Sequence, residues 1–198
     1  MSKLYPVYEQ FESIQGEGLW TGIPASFIRL QGCNLQCPWC DTKETWLGEA
    51  QALSTEQIMA GVQCKHVVVT GGEPLLHDLT ELLKALTEAG KLVHIETNGT
   101  QKWRDSYPEV AWIAVSPKRE SGYRVHFSLQ ERINEYKFVI DDDFDPDLLA
   151  DYPFREGAPV LLSPEDVRPE MIEKAVELVF QYPHCRLMLQ MHKLIGVR

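Results

Sequence analysis

Three cysteines stand close together in Gly32-Cys33-Asn34-Leu35-Gln36-Cys37-Pro38-Trp39-Cys40-Asp41-Thr42, a C-x-x-x-C-x-x-C run. Thiolate sulfur is a soft ligand, and bunched thiolates select iron–sulfur clusters or zinc. A four-iron cluster ordinarily takes four cysteines. Three would leave one iron without a protein ligand, open to a small molecule, as catalytic metal sites are and closed structural ones are not. A structural zinc site more usually shows two C-x-x-C pairs or a later histidine pair. Cys64 and Cys185 stand alone and far away, and each reads as a small buried hydrophobe. Inert thiols are the plain alternative for the run itself, but Pro38 and Trp39 in a loop opened by glycine suit a ligand turn better.

The elements that must position this loop are legible from periodicity. Residues 5–12 read as a first strand, followed by the glycine-punctuated loop Ser13-Ile14-Gln15-Gly16-Glu17-Gly18. Residues 25–31 alternate as a strand, with Ile28 and Leu30 on one face and Phe27, Arg29 and Gln31 on the other. Arg29 thus sits just before the cysteines, where a guanidinium can grip a carboxylate through two nitrogens or make an ordinary ion pair. Ser54-Thr55-Glu56-Gln57 predicts a capping box and a helix to about residue 62. The apolar run 66–70 predicts a buried parallel strand leading into Gly71-Gly72-Glu73-Pro74. Asp78 caps a helix with Leu79, Leu82, Leu83 and Leu86 on one stripe, ended by Gly90.

Further strands are expected at 91–96, closed by Thr97-Asn98-Gly99-Thr100, and at 111–115, ending at Ser116-Pro117-Lys118. Others fall at 136–140, 159–162 and 186–190, with a late helix marked by Ile172, Val176, Val179 and Phe180. Residues 118–135 read as an irregular, mobile loop, and the acidic run 141–147 as a solvated turn and helix start. Strand and helix alternate, so the fold class is α/β with a mostly parallel sheet. Cysteine loop, Gly-Gly-Glu, Thr-Asn-Gly and Ser-Pro-Lys all follow strands, and carboxyl ends of parallel strands carry the chemistry in such folds.

Composition narrows the class. The chain has 198 residues, enough for one domain with a real core over 1–198. Its formal net charge is −10, and without a basic stripe it does not read as a nucleic-acid binder. The start lacks a signal-peptide core, and no apolar run is long enough to span a membrane. Five cysteines, an odd number with three bunched, argue against a disulfide framework and for a reducing cytoplasm.

Cys33, Cys37 and Cys40, with aromatic Trp39 before the last, resemble the signature of radical S-adenosylmethionine (SAM) enzymes. Gly71-Gly72-Glu73-Pro74 resembles a second motif of that family, placed after the third strand as the family has it. The resemblance implies a [4Fe-4S] cluster on the three cysteines and SAM on its open iron. It also implies an incomplete, modified TIM-type barrel. Trp39 would contact the adenine, Gly72 and Glu73 the methionine amino group, and Ser116, Pro117 and Lys118 the nucleoside or carboxylate. Ser163 and Asp166 are carried over weakly, because Ser163-Pro164-Glu165-Asp166 departs from relatives that begin this stretch with glutamine.

A narrower resemblance covers nearly the whole chain. Residues 13–18, Arg29, Cys40-Asp41-Thr42, Thr70 to Pro74, Glu96 to Thr100, Ser116 to Lys118 and Gln190-x-His192-Lys193 are similar to 7-carboxy-7-deazaguanine synthases. Relatives with a long insertion between the first two cysteines differ from this compact spacing. The resemblance implies conversion of 6-carboxy-5,6,7,8-tetrahydropterin to 7-carboxy-7-deazaguanine with loss of ammonia, in queuosine and 7-deazapurine biosynthesis. It implies that Ile14, Gln15, Gly16 and Glu17 hold the pterin and Arg29 its carboxylate. Thr70, His192 and the terminal carboxylate of Arg198 would close around it, and Thr42 would ligate magnesium. A homodimer and a reducing electron donor such as flavodoxin are implied partners. The competing readings are a glycyl-radical-enzyme activating protein, which shares the three-cysteine spacing, and a non-catalytic iron–sulfur or zinc module, in which Gly-Gly-Glu-Pro has no role.

Overall fold

The computed structural model describes residues 3–198; Met1 and Ser2 of the amino-terminal stretch read above lie outside the described residues. Strand β1 (Leu4–Ile14) turns back into β2 (Pro24–Leu30). Helix α1 (Glu44–Leu47) and strand β3 (Gln51–Ser54) follow the cysteine loop, then α2 (Thr55–Ala60), β4 (His66–Gly71), α3 (Thr80–Glu88) and β5 (Leu92–Thr97). After β6 (Trp112–Val115) and β7 (Glu135–Ile140) come α4 (Leu148–Asp151), β8 (Val160–Pro164), α5 (Pro169–Gln181), β9 (Cys185–Leu187) and α6 (Met191–Ile195).

The strands form one sheet in the order β3-β1-β2-β4-β5-β6-β7-β8-β9. Strand β1 is antiparallel to both its neighbours; from β2 onward every pair is parallel. The parallel strands follow chain order without a reversal, the winding of a barrel rather than of a doubly wound sheet. The sheet's outermost strands do not pair with each other, so the barrel stays open, as the expected incomplete TIM-type architecture requires.

Alternation along the strands decides what faces where. Val67, Val69, Val93, Ile95, Ile113 and Val115 are buried in one core cluster with the α3 leucines. Leu79, Leu82, Leu83 and Leu86 are each 0% exposed, and each such burial contributes roughly 1.5–3 kcal/mol. The intervening residues, Val68, Thr70, Glu96, Ser116 and Lys137 among them, turn to the concave side and line a cavity. Asp78 is not the cap of α3: the N-cap is Leu79, without a side-chain cap, and the Asp78 carboxylate one residue earlier accepts from the Thr80 amide at 3.1 Å and hydroxyl at 2.6 Å. The capping box of α2 forms as read, with Gln57 N–H donating to the Ser54 hydroxyl at 3.3 Å and Ser54 N–H to the Gln57 side chain at 2.8 Å.

Some expectations need correction. Residues 118–135 fold into two 3-10 turns, Arg119–Ser121 and Phe127–Arg132, pinned by Leu129 and Ile133, both fully buried. On α5 the buried face is Met171, Ala175 and Leu178, one position round from the expected stripe, and Phe180 is 84% exposed. The last strand is shorter and earlier than 186–190, because beyond Leu187 the chain bends toward the cavity. In the acidic run Asp142, Asp143 and Asp145 are exposed, but Asp141 is buried beside Arg119. Helix α1 and strand β3 were not expected; each is four residues long, too short to show a period. Among the described residues no helix is long and apolar enough to cross a membrane.

Candidate active site

The concave side of the sheet encloses a cavity of about 270 Å³. The cysteine loop forms its rim at the carboxyl ends of the parallel strands, and the β1–β2 loop enters from their amino ends.

At the rim, Cys33, Cys37 and Cys40 all line the cavity and all are free thiols. A turn from Cys40 N–H to the Cys37 carbonyl, 3.1 Å, keeps the last two close. The loop is tied to its neighbours by backbone bonds: Gly72 N–H to Leu30 O at 3.0 Å and Glu73 N–H to Gly32 O at 2.8 Å. A Cβ on Gly72 would lie 2.3 Å from Gly32 O and 2.7 Å from Cys33 Cβ, so glycine there permits the contact. Asn34 joins the next loop through Asn98 at 3.2 Å and Thr100 at 2.9 Å. The Lys118 ammonium lies 4.9 Å from the Trp39 ring centroid and donates to the Ser116 hydroxyl at 2.5 Å. Burial lowers the Lys118 pKa, opposed by the charge of Cys37. Burial, with a hydrogen bond to Glu120, pushes the Cys37 thiol up to about 12. A bound cation reverses that logic, since metal-bound thiols are deprotonated.

Glu73 is 0% exposed and does not line the cavity. Its carboxylate accepts from the Thr97 hydroxyl at 2.7 Å, Asn98 N–H at 2.7 Å and Leu75 N–H at 2.9 Å. Burial pushes this carboxyl up to about 7 against those three donors. The Glu73 side chain thus ties two rim loops together, which leaves the backbone groups of the Gly-Gly-Glu stretch for the SAM amino group. Pro117 likewise stays off the cavity wall. The structure brings the other nominated residues together: Ile14, Gln15, Gly16, Glu17, Arg29, Trp39, Thr42, Thr70, Gly72, Ser116, Lys118, Ser163, Asp166, His192 and Arg198 all line the cavity.

The floor is charged. Buried Lys137 pairs with Glu17 at 2.8 Å and Glu96 at 2.5 Å, and Gln190 donates to Glu17 at 2.7 Å. For Glu17 burial works upward, but Lys137 and Gln190 hold it down to about 2. For Glu96 burial dominates and lifts it to about 7, despite Lys137 and with the help of Glu17's charge. Arg29 Nε donates to Glu9 at 2.7 Å, which fixes the guanidinium. Arg198 also pairs with Glu9, and its main-chain oxygen accepts from the Ser13 hydroxyl. Helix α6 docks by Met191 N–H on Gly16 O at 2.9 Å; a Cβ on Gly16 would lie 2.1 Å from His192 Nδ1. Lys193 pairs with Asp166 at 2.9 Å, and Asp166 and Val167 hold positive φ of 48° and 57°. Lys137, Glu96 and Gln190 were not nominated from the sequence. The signal was present for Lys137, a charged residue amid the apolar strand 136–140.

A half-open barrel wound in sequence, with three thiols at its rim and a glycine pair pressed against them, defines a radical SAM enzyme. The model for the radical SAM superfamily matches residues 27–115. The chain is 40% identical over 204 residues to the 7-carboxy-7-deazaguanine synthase of Synechocystis sp., covering 98% of this chain and 94% of that one. To the enzyme of the same name from Aquifex aeolicus it is 39% identical, covering 98% and 95%. A crystal structure of QueE from Escherichia coli superposes with a TM-score of 0.81 at 35% identity, over 96% of this chain and 95% of that one. The chain belongs to the 7-carboxy-7-deazaguanine synthase family. Membership brings a [4Fe-4S] cluster and SAM to this site, and the donors fit. Among the described residues no three Cys, His, Asp or Glu side chains converge on one metal ion. Thiolates that each take a different iron of one cluster need not converge so closely.

Proposed function

We propose that the chain, acting as one domain, converts 6-carboxy-5,6,7,8-tetrahydropterin to 7-carboxy-7-deazaguanine with release of ammonia. The observation that carries this is the two-ended cavity, with soft ligands at one end and a glutamine- and carboxylate-lined floor at the other. Its enclosure suits a small substrate better than a glycine of another protein. Cys33, Cys37 and Cys40 hold the cluster, and Trp39, Gly72, Ser116, Lys118, Ser163 and Asp166 surround SAM. Together the bound groups supply a carbon-centred radical able to take hydrogen from a C–H bond.

The protein's part is to bind, orient and exclude water. Gln15 and Glu17 offer a donor and acceptors to the aminopyrimidinone edge, with Ile14, Gly16 and Thr70 along the ring and His192 and Arg198 over it. Arg29, held at Nε by Glu9, keeps its terminal nitrogens for the substrate carboxylate, a charge-assisted pair. The substrate and the product plus ammonia balance without net oxidation, so SAM is regenerated. Loss of ammonia needs a proton delivered. Glu96 and its partner Lys137 both line the cavity and are the groups placed to carry that proton.

Thr42 and neighbouring Asp41 present oxygens on the same wall, the ligand type magnesium prefers. We read the chain as a homodimer, supported by the exposed apolar Leu194, Ile195 and Val197. Five free thiols support a reducing cytoplasm and a reductant such as flavodoxin. The test is anaerobic turnover by reconstituted protein. The deazapurine and ammonia are expected while SAM persists over many cycles; consumption of SAM without deazapurine overturns the reading.

A further inference from the structure

Residues 18–22 line none of the cavity, yet they are gripped from several sides. They form the tip of the β1–β2 loop. The loop is closed at its base by Gln15 N–H to Ile23 O and Gly22 N–H to Gln15 O, both 2.8 Å. The Leu19 amide donates to Glu135 Oε2 at 2.9 Å, and Glu135, on β7, is 2% exposed. Gly18 has φ +73°, and a Cβ on it would lie 2.2 Å from Glu135 Oε1. Its amide donates to Met188 Sδ at 3.0 Å. Trp20 lies 5.2 Å from the rings of both His66 and His94 and 5.6 Å from Trp112. Those three partners stand on β4, β5 and β6. The two imidazoles are hydrogen-bonded, His66 Nδ1 to His94 Nε2 at 2.9 Å, so they present a fixed surface.

We propose that this tip is a wedge packed across the amino ends of the paired strands, with Trp20 and Glu135 as positioning residues for Gln15 and Glu17. The inference rests on the functional reading above, because Gln15 and Glu17 matter as the floor beneath the pterin. Both backbone hydrogen-bonding groups of Gln15 belong to the loop closure. A tip that slips therefore carries Gln15 with it and pulls Glu17 off Lys137. Neither Trp20, Glu135, His66, His94 nor Trp112 lines the cavity; Trp20 reaches the floor through the loop, while the charge of Glu135 also reaches Lys137 and Glu96, so the kinetic test rests on Trp20. The thiols and the glycine pair sit at the other end and do not depend on it.

The test uses reconstituted protein carrying Trp20→Ala, Trp20→Phe or Glu135→Ala. Trp20→Ala is expected to raise KM for the carboxypterin about ten-fold or more, the loss of a positioned binding group. Its kcat should move far less, and SAM affinity and iron content should stay at wild-type values. Trp20→Phe, which keeps a ring against the imidazoles, should restore most of the KM. Independently of turnover, Glu135→Ala should speed hydrogen exchange at the Leu19 amide about ten-fold or more, with β4 and β5 unchanged. A wild-type KM in Trp20→Ala overturns the proposal. So does parallel loss of pterin and SAM binding in both Trp20 variants, or an unchanged Leu19 exchange rate. If wild-type protein makes no deazapurine, the functional reading has failed, while the exchange result still decides whether the wedge exists.

Discussion

At the rim, one buried carboxylate is satisfied by three neutral donors, and backbone bonds between Gly32, Gly72 and Leu30 do the rest. At the floor, one buried ammonium is shared by two carboxylates, with an amide side chain at its side. The rim sets a buried cation, Lys118, beside the thiols, while its buried carboxyl Glu73 is lifted toward neutrality. The floor keeps its ions paired until a polar heterocycle arrives. Low local dielectric makes both arrangements costly to leave half satisfied, but they fail differently: the rim by misplacing backbone, the floor by stranding charge.

Cys37→Ala is expected to have the largest effect, abolishing turnover and lowering iron content while leaving the floor ion pairs intact. Iron analysis beside carboxypterin binding checks both halves. Lys137→Met strands Glu17 and Glu96, and breaking a buried pair costs about 3–5 kcal/mol. Without the lysine the Glu17 carboxyl rises from about 2 to above its unfolded value, and Glu96, already at about 7, rises further. The loss is therefore greatest at high pH and shrinks as the pH falls and they protonate, which urea melts at pH 5 and pH 8 resolve.

Glu73 is held at about 7 against an ordinary 4.5. The folded state binds its proton more tightly, so stability falls as pH rises from 4.5 to 7, by roughly 3 kcal/mol at most. Glu73→Gln should flatten that slope in thermal melts. Gly72→Ala forces a Cβ against Gly32 and Cys33, an overpacking cost of about 1–3 kcal/mol, and should reduce iron retention. Ser54→Ala removes a cap remote from both ends. It should cost about 1 kcal/mol and leave iron content and KM alone.

Much of this was legible because it is periodic or local. The α3 leucines, the Ser54 cap and the alternation that sets Arg29 opposite Ile28 and Leu30 follow from spacing alone, whereas Thr70 came from the resemblance. The cysteine loop was legible because thiols at that spacing have few other uses. What escaped depends on distant partners. Nothing near Glu73 in the sequence says that Thr97 and Asn98 will consume its carboxylate. Lys137 is a lone cation in an apolar strand until Glu17 and Glu96 are brought beside it. The α5 stripe was read one position off because Ile172, Val176 and Phe180 outweigh Ala175 in hydrophobicity, yet Ala175 is the residue that is fully buried. Trp20 has no periodic or motif signal, and its partners His66, His94 and Trp112 are all distant in the sequence.

Residues 9–17 and 188–198 meet across the pocket, through Glu9 with Arg198, Gly16 with Met191 and Glu17 with Gln190. The thiol loop, by contrast, has its partners no further along than Glu120. On a ribosome adding about 5–20 residues per second, the sulfur-bearing half can therefore be shaped while the far wall is still unmade. Iron could be delivered to a nascent intermediate that has no chamber yet. A truncated chain ending near residue 180 would be the species in which to look for it.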